Sequence, residues 1–199
     1  MASAQARTRQ SREESRQRIV DAAAELVREH SFTALTVDEV MLRAGIGRTL
    51  FYRHFDDLGD LLLRAGREAI EELFAAEEVL ATGRDGFGAE TIREAITAAV
   101  GVYRRHGPIL RAVAEAATVD ERVAAGQDAQ RRRFDELLAA ALRDAAGDDR
   151  AVADFEETAR ALNLMNENYL RDAFGREPRV SEEVAVRTLT EIWTRVIEP

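Results

Sequence analysis

Gly45-Ile46-Gly47-Arg48-Thr49-Leu50-Phe51-Tyr52-Arg53-His54-Phe55 is the stretch on which the reading of this chain turns. Just before it, Thr36-Val37-Asp38-Glu39 has the form of a capping box, with Thr36 as N-cap and Glu39 reaching back. Val37, Val40, Met41 and Ala44 give the helix that follows one buried face. Gly45 stands where a C-cap glycine belongs, and the next helix begins within two residues. So short a connection makes a sharp corner between helices, the helix-turn-helix arrangement. In the second helix, expected over Gly47 to Phe55, Phe51 and Phe55 are i, i+4 packing partners. Arg48, Thr49, Tyr52 and Arg53 are left on the rim. Arginine can pair bidentately with guanine, threonine can meet a base or a phosphate, and tyrosine can hold phosphate.

Working outward, Ile19, Ala22, Ala23, Leu26 and Val27 mark one buried stripe of a first helix that ends near His30-Ser31. Met1 to Ser11 is short of apolar residues and is expected to be a flexible arm. Downstream, Asp56-Asp57 can cap a long helix running to about Ala81, with a stripe through Leu58, Leu61, Leu62, Ala65, Ala69 and Leu73. Thr82 to Gly88 reads as a glycine-rich linker; no strand precedes it and no phosphate-loop lysine follows, which argues against a nucleotide cradle. Ile92, Ala95, Ile96, Ala99 and Tyr103 form the next stripe, expected to break at His106-Gly107-Pro108. A short segment then runs to about Thr118. Phe134, Leu137, Leu138 and Ala141 precede a helix end at Gly147. The last two helices are expected over Phe155 to Phe174 and Glu182 to Ile197, the second with Ser181 as N-cap. No period-two strand pattern occurs. The expected fold is all-α with about nine helices, divided into a helix-turn-helix unit at 1–57 and a helical body at 58–199.

Composition narrows the function. With 46% hydrophobic and 33% charged residues and only three prolines among 199 residues, the chain belongs with helix-rich globular proteins. No apolar run approaches the roughly 20 residues that span a bilayer, and the polar N-terminus lacks a leader's apolar core; a cytoplasmic location is expected. The absence of cysteine removes disulfide, zinc-thiolate and cysteine-nucleophile chemistry. The net charge of −9 is unevenly spread: up to Phe55 nine arginines face seven acids, so the remainder carries −11. A mildly basic front on an acidic body suits a protein that meets DNA with one end.

Leu35 to Val40, Ala44 to Arg48 and Leu50 to Phe55 together resemble the DNA-binding unit of the TetR family of transcriptional repressors. In the final third, Ala161 to Glu167, Ala173-Phe174-Gly175, Glu177-Pro178, Thr188-Leu189 and Ile192-Trp193 are similar to the ethionamide-resistance branch of that family. The resemblance implies a homodimer on a palindromic operator, released when a small apolar effector occupies the body. It places DNA contacts on Thr36, Arg48, Thr49, Leu50, Tyr52, Arg53 and His54. Two departures stand out: Gly47 replaces the usual serine or threonine N-cap, and Leu58 replaces a phosphate-binding lysine.

Asn163 and Asn166 are i, i+3 neighbours flanked by apolar Ala159, Leu162 and Leu170. They can bond to each other, to backbone or to a ligand; the resemblance favours the ligand. With them it implies a channel lined by Ile92, Ala95, Ile96, Ala99, Tyr103, Phe134, Leu137 and Trp193. An apolar channel with amide ends favours a neutral, elongated molecule bearing an ester, ketone or amide. For dimerisation, Phe155, Ala159, Leu162, Tyr169 and Ala173 on one terminal helix and Ala185, Leu189, Ile192 and Val196 on the other offer faces for a four-helix bundle about a two-fold axis. Two reading heads roughly 34 to 36 Å apart would meet successive major grooves.

An enzyme, or a helical binding protein with no DNA role, is the rival reading. The three histidines, His30, His54 and His106, show no metal-binding spacing, and no nucleophile elbow or phosphate loop occurs. Paired carboxylates such as Glu71-Glu72 read as solvated faces. No catalytic residue, metal or cofactor is expected.

Overall fold

The computed structural model describes residues 2–82, 88–146 and 154–197. Eight α-helices and two short 3-10 helices make up the described residues, and no strand occurs among them. The helices are α1 (Ala2–Glu29), α2 (Val37–Ala44), α3 (Leu58–Ala65), α4 (Arg67–Thr82), α5 (Ala89–Ala116), α6 (Glu121–Ala146), α7 (Phe155–Phe174) and α8 (Glu182–Ile197). The expected linker glycines at 83–87 and the helix end at Gly147 lie outside the described residues.

The corner is built as its residues dictate. Thr36 accepts from the Glu39 amide, and the Glu39 side chain returns the bond to the Thr36 backbone. Gly45 takes φ 66°, a left-handed value that only glycine adopts cheaply, while Arg18 donates to the Ala44 carbonyl at 2.6 Å and ties the end of α2 to α1. Phe51 and Phe55 are fully buried with Ile19, Val27, Val40, Leu61 and Leu62 in a head core.

Four expectations are corrected. The stretch expected as an arm is helical, because α1 begins at Ala2; alanine, glutamine and arginine carry helix propensity without needing a buried face. The reading element is a six-residue 3-10 helix, Arg48–Arg53, rather than a longer α-helix. Its N-cap Gly47 supplies no side-chain bond, and Asp57 already accepts from Asp60 to start α3, so little backbone is left to lengthen it. The long helix after Asp57 is interrupted at Gly66, where Ile109 and Val113 of α5 pass close by. Finally, α5 runs unbroken through Pro108. A proline inside a helix costs about 3 kcal/mol, and burial on either side offsets it: Tyr103, Ile109, Leu110, Ala112 and Val113 are all covered. Gly107 is obligatory there, since a Cβ would stand 2.2 Å from the Phe174 carbonyl oxygen at the end of α7.

Helix α5 is the axis of the molecule. Its first half packs with α4, α6, α7 and α8 in a body core centred on Ile92, Leu138, Leu170, Leu189 and Trp193. Its second half enters the head core through Ile109, Ala112, Val113 and Ala116. Between them sits Arg111, only 7% exposed. Its guanidinium donates to the carbonyls of Val27 and His30 at the end of α1 and, at 2.8 Å, to that of Gly175 beyond α7. It also pairs with Glu115, whose other oxygen accepts from the Phe32 amide at 2.7 Å. A second tie runs from Arg122 of α6 to Asp57 at the start of α3 and to Asp120.

Removing a buried cation that serves three helix-end carbonyls leaves those acceptors and Glu115 without a partner. Arg111→Met is therefore expected to lower the unfolding free energy by about 2 to 4 kcal/mol, measured by urea denaturation. Arg122→Met, whose ion pairs are exposed, should cost far less than Arg111→Met in the same measurement.

Candidate functional site

Two sites emerge, a reading surface on the head and a cavity in the body. On the head, Arg48, Thr49, Tyr52 and Arg53 are exposed. Tyr52, 56% exposed, lies edge-on to Phe51 with ring centroids 5.3 Å apart, so the buried ring orients the exposed one. Arg48 is engaged by Tyr52 and forms an ion pair with Asp38 of α2 at 2.7 Å. Arg53 has no ion pair among the described residues, and its carbonyl accepts from Arg12. Leu50 is half-buried against the head core. Thr36 is exposed, but its hydroxyl is spent on the capping box. His54 is half-buried; burial first, and then the charges of Arg12 and Arg16, hold its imidazole below the usual value.

The cavity, of about 400 Å³, lies between α4, α5, α6, α7 and α8. Ala95, Ile96, Ala99, Tyr103, Phe134, Asn163, Asn166 and Trp193 all line it. Ile92 and Leu137 do not: Ile92 is sealed in the body core behind the wall, and Leu137 lies half-buried one turn beyond Phe134. Phe134 stacks on Phe74 of α4 at 3.9 Å, with the Arg133 guanidinium on the same ring of Phe74 at 4.0 Å.

The asparagines are committed within the fold. Asn166 accepts from the Trp193 indole at 3.1 Å, fixing α8 to α7, and Asn163 donates to Asp135 of α6 at 3.0 Å. One helical turn along α7 from Asn163, Glu167 takes both Arg131, at 2.8 Å, and Arg171, also at 2.8 Å. Burial alone would raise Glu167, but these arginines outweigh it and leave its pKa lowered. Burial, with Glu167 near, pushes the Tyr103 phenol upward, so it stays a neutral hydroxyl. The polar group that sequence reading missed is Glu77 of α4. Burial drives its carboxyl up to about 8, against a smaller lowering by the Asn163 amide, and its Oε1 has no hydrogen-bond partner. One residue N-terminal to Glu78 in an acidic helix, it carries no local signal that separates it from a solvated face. No cluster that could hold a metal ion occurs among the described residues.

On the terminal helices, Ala159, Leu162, Ala173, Ala185 and Leu189 are buried in the body core of this chain and are not free to meet a partner. The apolar residues that α8 does expose are Val184, Ile192 and Val196, at 37%, 39% and 43%. No described helix is long and apolar enough to cross a membrane.

Comparison with known proteins agrees with this layout. Residues 92–198 match the family model described as the C-terminal domain of the transcriptional regulator EthR, and residues 19–65 match that of bacterial regulatory proteins of the tetR family. An uncharacterized HTH-type transcriptional regulator of Haemophilus influenzae is 44% identical over 62 residues, which is 31% of this chain and only 28% of that relative. Among solved structures, the TetR-family regulator PfmR of Thermus thermophilus superposes with a TM-score of 0.73 at 23% identity, covering 89% of this chain and 97% of that one. A TetR-like regulator of Rhodococcus gives 0.72 at 18%, covering 93% and 97%. AibR, solved with isovaleryl coenzyme A and operator DNA, gives 0.66 at 15%, covering 89% and 97%. With one family model spanning the body and another the reading head, this chain belongs to the TetR family of bacterial transcriptional regulators, which are not enzymes, and its body is of the EthR type.

Proposed function

We propose that the protein is a repressor that binds a palindromic operator as a homodimer and lets go when a small, largely apolar effector fills the body cavity. The observation that carries this reading is the double duty of one helical path. Helix α3 packs in the head core through Leu61 and Leu62, and beyond Gly66 α4 forms a wall of the cavity with Ile70, Leu73, Ala76, Glu77 and Leu80. An effector that favours one setting of that wall acts on the head, and its differential affinity sets the size of the switch, typically about 1 to 3 kcal/mol. Functionally the reading unit is 1–57 and the effector and dimer unit 58–199, even though α3 packs with the head. Arg48, Thr49, Tyr52 and Arg53 meet the operator; Leu50, Thr36 and His54 hold the turn that presents them. AibR, whose structure includes both an acyl coenzyme A and operator DNA, shows a similar fold serving both ligands. A regulator acting on its own genome works in the cytoplasm.

Three measurements test this. The first is fluorescence anisotropy with the DNA upstream of the protein's own gene. Arg53→Ala should weaken binding across all sequences and reduce the slope of log affinity against log salt by about one. Arg48→Ala should cost about 1 to 3 kcal/mol and relax preference at one base pair. The second exploits the Arg48–Asp38 pair: DNA must displace Asp38, so Asp38→Asn should tighten binding by roughly three- to tenfold at low salt. Unchanged affinity at saturating effector would sink the switch itself. The third concerns assembly. Val184, Ile192 and Val196 are exposed on one stripe of α8, and in a dimer they are covered. Ile192→Glu should give a helical monomer by sedimentation that has lost operator binding; a stable dimer would refute this interface.

A further inference from the structure

Among the described residues that line the cavity, Glu77 has a buried side-chain oxygen, Oε1, with no hydrogen-bond partner. Around it are Asn163 of α7, whose amide serves both Glu77 and Asp135, and Asp135 itself on α6. No ion pair reaches Glu77 or Asp135 among the described residues. The other charged groups along the lining are committed elsewhere or face solvent. Arg131 and Arg171 pair with Glu167, Asp128 pairs with Arg131, Arg160 with Glu157, and Arg132 is exposed. From α5, the facing titratable group is the Tyr103 phenol, and from α8 the lining contributes Trp193 alone. Two carboxyl groups of the cavity wall, Glu77 and Asp135, thus stand without an ion-pair partner among the described residues.

We propose that this part of the cavity takes a primary ammonium group on an apolar body, with Glu77 Oε1 and Asp135 as its acceptors. The assignment rests on the reading of the cavity as the effector site. A neutral ester or ketone offers only acceptors, and the nearest donors, the Asn163 amide and the Trp193 indole, already have partners. A carboxylate would bring further acceptors to two carboxyl groups and no donor for either. An ammonium has three N–H donors and a charge that relieves both the desolvation of Glu77 and its repulsion by Asp135. The body of the ligand would lie against Ile70, Leu73, Ala99, Phe134 and Trp193. Binding leaves the ammonium intact and releases the Glu77 proton to solvent.

The proton carries the test. In the unfolded chain Glu77 ionises near its ordinary 4.5, whereas the folded protein holds the proton to about 8. Folding therefore takes up a proton between these values, and stability falls as pH rises through that window. Ligand binding that needs the ionised form strengthens with pH over the same range. Calorimetry on the full chain with n-octylamine, n-octanol and octanoate should show octylamine binding tightest, its affinity rising about tenfold per unit between about pH 6 and 7. Glu77→Gln should abolish that pH dependence and weaken octylamine by at least about tenfold. Without any ligand, thermal melts should show Glu77→Gln gaining on the wild type as pH rises from about 5 to 8; parallel melts would overturn the premise that Glu77 is held protonated. If octanol or octanoate bound as tightly as octylamine, or if Glu77→Gln bound octylamine unchanged, the ammonium assignment would fail while the cavity remained an effector site. If none of the three bound, the effector reading would fail and take the assignment with it.

Discussion

A single guanidinium decides whether this molecule is one body or two. Arg111 sits where the head core and the body core meet, and it serves carbonyls at the end of α1 and beyond α7 while pairing with Glu115. Helix ends leave carbonyls without intrahelical partners, and burying two such ends against each other would be unfavourable unless a donor stood between them. Arginine, with five donors in a planar fork, can satisfy several at once where lysine cannot. The close approach of the same region depends on Gly107, which lets α5 touch the carbonyl end of α7. These contacts fix the body against the head, which the proposed switch through α4 requires.

The cavity follows from the same architecture. Five helices meet around it, and the polar side chains on its walls are mostly used to hold those helices together: Trp193 to Asn166, Asn163 to Asp135, Arg131 and Arg171 to Glu167. What remains for a ligand is apolar surface, the Glu77 carboxyl group and the spare acceptor of Asp135. Buried polar atoms in folded proteins nearly always have partners, so an orphan on a residue that lines a cavity marks where a partner from outside would be used.

Much of this was legible in the residues. The capping box at Thr36 and Glu39, the left-handed glycine at Gly45 and the paired phenylalanines are local, short-range signals, and each appears as read. The end of α7 and the start of α8 were equally clear, because Gly175 and Ser181 mark them chemically. Tertiary context decided the rest. Pro108 lies in a continuous helix because packing on both cores outweighs its local cost, and no window of sequence around it contains that information. Gly66 interrupts a pattern of unbroken helical periodicity because a neighbouring helix crosses there. Stripes on α7 and α8 that could have faced a partner instead face inward, since periodicity reveals that a face is buried but not by what. Glu77 was hidden for the converse reason: an acid among acids looks solvated until the cavity beside it is seen.

One consequence of the reading surface concerns what the protein can sense. With no lysine anywhere in the chain, the positive groups presented to DNA are guanidinium ions, which neither titrate in the physiological range nor offer a primary amine for acylation. His54, the imidazole at that surface, is pushed below its usual value by burial and neighbouring arginines. The charge that meets the phosphate backbone is therefore constant from mildly acidic to mildly alkaline conditions. With the ammonium site proposed above, a change in pH would act through the Glu77 carboxyl group and alter which molecules the body answers to, while the charge on the exposed face of the head stayed the same.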